Sequence, residues 1–106
     1  MMNLFHIPEL PVNQEKSDLL IEDHGVVIER IISTGQSSPE GFWYEQERDE
    51  WVALLQGEAV ISRDKGKMIK MKPGDWILIP AFEKHRVEMT SSEPPCIWLA
   101  VHGKLT

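Results

Sequence analysis

Turn signals recur along this chain about every ten residues, and the stretches between them are short, apolar and rich in β-branched and aromatic side chains. Thr34-Gly35, Gly57, Asp64-Lys65-Gly66 and Lys72-Pro73-Gly74-Asp75 are the clearest stops. Pro73-Gly74 suits a type II turn, because proline presets the first central dihedral and glycine accepts the positive second one. The stretches between predict strands at 26–33, 41–46, 50–56, 58–63, 67–71, 76–79, 85–90 and 97–102. This spacing excludes alternating β-α units and predicts an all-β sandwich or barrel. One helical turn is expected over Gln14 to Ile21, with Asn13 as its cap. Residues 1–25 read as an N-terminal arm packed on the barrel or on a neighbouring subunit, and residues 26–106 as the barrel.

A chain of 106 residues that is 42% hydrophobic has room for one domain around one core. Its net charge of -6 argues against nucleic acid or an anionic membrane as partner, since neither would meet a basic face. A small molecule is the expected ligand. Cys96 is the single cysteine, so no intrachain disulfide forms, and a cytoplasmic location is expected. The opening MMNLFHIPELPVNQEK lacks the pattern of an export leader, and no apolar window approaches a membrane span.

The stretch Asp49-Glu50-Trp51-Val52-Ala53-Leu54-Leu55-Gln56 starts a strand with two carboxylates. Alternation puts Glu50, Val52, Leu54 and Gln56 on one face and Trp51, Ala53 and Leu55 on the other. Both faces are largely apolar, so the strand is covered on both sides and Glu50 sits at the end of a core. A carboxylate there needs a proton, a cation or hydrogen-bond donors. Asp49 is expected to turn to solvent. In His85-Arg86-Val87-Glu88-Met89 the face carrying His85, Val87 and Met89 is the apolar one, which directs the His85 ring inward.

These residues carry a resemblance to the cupin superfamily of small β-barrels. Glu50 and Gly57, with six residues between them, resemble the end of that family's first motif. Gly74-Asp75-Trp76-Ile77-Leu78-Ile79-Pro80-Ala81-Phe82-Glu83-Lys84-His85 resembles its second, with Phe82 where the family has glycine. The two cover residues 41–89 in the family's order. The resemblance implies a double-stranded β-barrel, or jelly roll, assembled as a homodimer. It also implies a divalent ion, iron, manganese, nickel or zinc, held by three histidines and a glutamate.

Here the first motif's two histidine positions fall on Tyr44 and Gln46, or at the family's longer spacing on Trp43 and Glu45. The metal set implied is therefore Glu50 and His85 with Gln46, or Tyr44 in its place, weaker than a histidine-rich one. Glu50 and His85 are also the candidate catalytic residues, as ligands or as general bases. Tyr44, Arg30 and His102 are candidate pocket residues. Arg30 clamps a substrate carboxylate if its face is the cavity, and is a structural ion-pair partner if it is not. Cys96 reads as a small apolar side chain, and His6 and His24 carry no motif. Trp51, facing away from Glu50, points out of the barrel, where another subunit would cover it.

Two functions follow. One is an enzyme, an oxygenase or isomerase acting on a compact polar metabolite, with or without metal. The other is a non-catalytic small-ligand-binding or scaffold dimer with a degenerate metal site.

Overall fold

The structure is a computed structural model that describes residues 2–11 and 13–106; Met1 and Val12 of the expected arm lie outside the described residues. Its strands are β1 (Lys16–Asp23), β2 (Val26–Ser33), β3 (Asp49–Gln56), β4 (Ala59–Arg63), β5 (Lys67–Met71), β6 (Trp76–Ile79), β7 (His85–Thr90) and β8 (Cys96–Gly103). One sheet has the order β1-β2-β8-β3-β6 and the other β5-β4-β7. All pairings are antiparallel. The two sheets pack as a jelly-roll β-barrel.

The inward faces follow from the register. Glu50, Val52 and Leu54 on β3 lie opposite His102, Ala100 and Trp98 on β8. On β8 and β2, Trp98 lies opposite Ile31 and Ala100 opposite Glu29. Val52, Leu54, Ala59, Ile61, Met71, Ile79, Cys96, Trp98 and Ala100 form the core between the sheets. Polar residues of the same faces, nearer one end, are left to line a cavity.

Three local expectations are corrected. Gln14 to Ile21 is not a helical turn: Lys16–Asp23 is an edge strand paired along β2. A run from Lys16 to Ile21 that alternates poorly becomes a strand because β2 offers it a ladder. The segment 41–46 is not a strand either; only Tyr44 makes a bridge, to His85. On β7, Val60 pairs with Met89 but Ile61 pairs with Val87, so Glu88 is an extra residue in a bulge. The bulge turns Thr90 into the interior and leaves Met89 exposed.

Candidate functional site

The cavity opens between the two sheets and has a volume of about 200 Å³. Its floor is apolar, with Ile31, Val52, Ile61, Ile79, Val87 and Trp98. Its mouth is polar, with Tyr44, Gln46, Glu50, His85 and His102 joined by Glu15, Ser17, Glu29 and Ser33. That combination, an apolar body with a few convergent polar groups, is what small-molecule sites are built from.

His85 opens β7 and is 7% exposed. Its Nδ1 lies 3.1 Å from the Glu83 carbonyl, which can only accept, so Nδ1 carries a proton. Nε2 is thereby turned toward Glu50, whose Oε1 is 3.5 Å away. At that separation the contact is Coulombic more than a hydrogen bond of good geometry. Burial by itself would push the His85 pKa down; the Glu50 carboxylate and the Glu83 carbonyl outweigh it and hold the imidazolium above its usual 6.5. Tyr44 stacks on the His85 ring at 5.7 Å and 24°, and exchanges two backbone hydrogen bonds with it. Burial first, then the charges of Glu15 and Glu50, raise the Tyr44 pKa, so its hydroxyl stays protonated.

The segment that delivers Tyr44 is pinned by a residue that the sequence reading passed over. Arg86, beside His85 on the other face of β7, donates to the carbonyls of Ser38, Pro39 and Phe42. Phe42 then packs edge-on against Tyr44 at 4.9 Å. Phe82, where the resembled motif has glycine, adopts φ 65, a left-handed conformation that glycine enters more easily, and donates its N–H to the Gln46 carbonyl.

His102 reaches the same cavity from β8, directly across from Glu50 in the ladder. Its Nε2 is 2.9 Å from Glu29 Oε1. Two histidine–glutamate pairs therefore share one cavity. Glu29 was missed because the face of β2 bearing Glu29, Ile31 and Ser33 is the more polar of its two faces, and Glu15 because it precedes a strand, β1, that reads in the sequence as part of an arm. Ser33 links the floor to the rim, accepting from Trp98 Nε1 at 3.2 Å and donating to Glu15 at 3.1 Å.

Arg30 does not line the cavity, which corrects its place among the candidate pocket residues and selects the structural ion-pair reading over the substrate clamp. It points from the opposite face of β2, where Asp18 binds its guanidinium at 2.6 Å and the Leu4 and His6 carbonyls accept from it. Asp49 does not turn to solvent. It is 5% exposed and accepts from the Ala81, Leu105 and Thr106 amides and the Thr106 hydroxyl. Trp51 does face outward, but Trp76 packs on it within the same chain at 5.8 Å.

Of the expected metal ligands, His85 Nε2 and Glu50 Oε1 lie 3.5 Å apart, and Gln46 lines the same cavity. Among the described residues no three His, Cys, Asp or Glu side chains converge to hold one. A resident catalytic metal ordinarily has three protein ligands, and the His102 nitrogen that faces the cavity is engaged by Glu29. The donor set does not fit the metal centre of the resembled family.

Comparison with known proteins agrees with the architecture. The family model described as Cupin domain matches residues 29–102. A Ralstonia eutropha JMP134 protein, provisionally named a mannose-6-phosphate isomerase, superposes with a TM-score of 0.92 at 43% identity, over 98% of this chain and 97% of its own. A cupin superfamily protein from Desulfitobacterium hafniense DCB-2 follows at TM-score 0.76 and 26% identity, over 92% and 84% of the two chains. The polyketide cyclase RemF of Streptomyces resistomycificus, at TM-score 0.72 and 22% identity over 97% and 80%, shares the fold. No curated protein matches the sequence. Barrel topology, the order of the two motifs and the family match together make this chain a member of the cupin family.

Proposed function

We propose that the barrel mouth binds a small polar metabolite and that Glu50 and His85 work there as an acid–base pair, moving a proton beside a carbonyl as an isomerase or epimerase does. The observation that carries this reading is the buried His85–Glu50 contact at the mouth of an apolar-floored cavity. A carboxylate able to take a proton from carbon and an imidazolium able to give one to the carbonyl oxygen are the two groups that enolisation needs. The 43% identical relative's provisional name supports the reaction class, isomerase, alone; the phosphorylated sugar in that name is not carried over to this chain. Oxygenase or Lewis-acid chemistry would require further metal ligands, and no step is assigned to an ion.

Deuterium wash-in tests this. Small hydroxyaldehydes, hydroxyketones and amino ketones are incubated with the protein in heavy water and followed by proton NMR. Exchange at the carbon next to the carbonyl in wild type, lost in Glu50→Gln, is the expected result. No exchange with any of them, or equal exchange in the variant, contradicts it.

Non-catalytic ligand binding is the second reading, favoured by the incomplete metal donor set. A cytoplasmic homodimer belongs to the same proposal. Cys96 is buried and free, and exposed Leu19, Leu20 and Ile21 on edge strand β1 suit a second copy of the chain. Among the described residues no helix is long and apolar enough to cross a membrane.

A further inference from the structure

The cavity has a charge of definite sign. Glu15 before β1, Glu29 on β2 and Glu50 on β3 bring three carboxylates to it, and no lysine or arginine among the described residues lines it. The groups there that carry positive charge when protonated are the imidazoles of His85 and His102, which lie against Glu50 and Glu29. With both protonated, one carboxylate is still in excess; with either neutral, the excess grows. Glu15, at the exposed rim, accepts from the Ser33 hydroxyl and has no basic partner among the described contacts.

Ionised carboxylates accept hydrogen bonds and donate none. A ligand entering this mouth meets carboxylate acceptors on three segments, while donors come from Tyr44, Gln46, the serines and the His85 imidazolium already paired with Glu50. An anion there would sit against like charge in a partly dry space, which is costly. A cation with several N–H groups gains both charge and hydrogen bonds. Beneath the rim, Trp98 and the aliphatic floor offer surface to an apolar body.

We infer that the site selects a small amine, an ammonium group on a compact apolar body, and rejects anionic analogues of the same shape. This rests on the reading above that the cavity is the binding site.

Phenethylamine, phenethyl alcohol and phenylacetate share a body and differ in charge. Each is titrated near neutral pH at low salt, with calorimetry for affinity and the Trp98 indole N–H resonance for location. The amine is expected to bind at least about tenfold more tightly than the alcohol, a difference of about 1.4 kcal/mol, and phenylacetate more weakly than either. Glu15→Gln, a change at the exposed rim, is expected to narrow the gap between amine and alcohol. Phenylacetate binding as tightly as the amine, or an unchanged gap in Glu15→Gln, overturns the charge selection and leaves the binding reading intact. A Trp98 signal that no probe moves overturns the binding reading itself, and the selection with it.

Discussion

His85 on β7 and Glu50 on β3 approach to 3.5 Å although their strands belong to different sheets. The pair is therefore a cross-link between the two layers, besides the acid–base role proposed for it. Because the folded protein holds the His85 pKa above 6.5, it binds the proton more tightly than the unfolded chain does. The resulting stabilisation is fully present below pH 6.5 and is lost as pH rises through the folded-state value above it. Urea midpoints of wild type and Glu50→Gln compared across this range are expected to differ most on the acid side and to converge on the alkaline side. A difference independent of pH would show that the pair contributes no proton linkage.

Asp49 works as a clamp. Its oxygens tie the Ala81 amide after β6 to Leu105 and Thr106 after β8. These bonds, that from Ala81 foremost, hold its pKa below 3.8. Its contribution is present above that value and disappears as pH falls through the lower folded-state pKa. Asp49→Ala is expected to lower the melting temperature by several degrees and to speed hydrogen exchange at the Leu105 amide. Unchanged protection there would contradict the clamp.

Gly57 and Gly74 both have strongly positive φ, 91 and 95, but they differ in surroundings. A Cβ on Gly57 would lie 2.8 Å from Cys96 Sγ and 2.9 Å from Cys96 Cα, whereas on Gly74 it would meet nothing within 4 Å. Gly74→Ala is expected to cost the backbone term alone, about 1–2 kcal/mol, and Gly57→Ala distinctly more, as read from urea unfolding. Equal losses would mean that the close approach of β8 to the turn after β3 is not a constraint.

Most of the barrel is legible in the chain because strand and turn chemistry are local. Pro73-Gly74, Gly57 and Asp64-Lys65-Gly66 stop strands wherever they occur, and alternation alone turns Glu50 and His85 inward. What escaped depends on distant coverage. Nothing near Asp49 announces that Leu105 and Thr106 fold over it, and β1 is a strand only because β2 pairs with it. Which face of β2 points inward stays open in the sequence, because the cavity inverts the usual rule that the more apolar face is the inner one. The cavity is lined by Glu29 and Ser33 where a plain core would have aliphatic residues, so the more apolar face, with Arg30 upon it, is the outer one. The bulge at Glu88 likewise leaves no mark that alternation can register.

Metal content is a direct check on the donor set. Protein purified without chelator is expected to carry no stoichiometric divalent ion by plasma mass spectrometry, since among the described residues no three His, Cys, Asp or Glu side chains converge. Near-stoichiometric metal in wild type, lost in His85→Ala, would contradict this and make Glu50 and His85 ligands.

The central claim is that Glu50 sets the protonation of His85 inside the cavity. The most direct measurement is the NMR titration of the His85 ring protons in wild type and in Glu50→Gln. The account predicts a wild-type midpoint above 6.5 that falls in the variant, where burial is no longer opposed by the carboxylate. Coincident titration curves would contradict it and remove the basis for an acid–base pair.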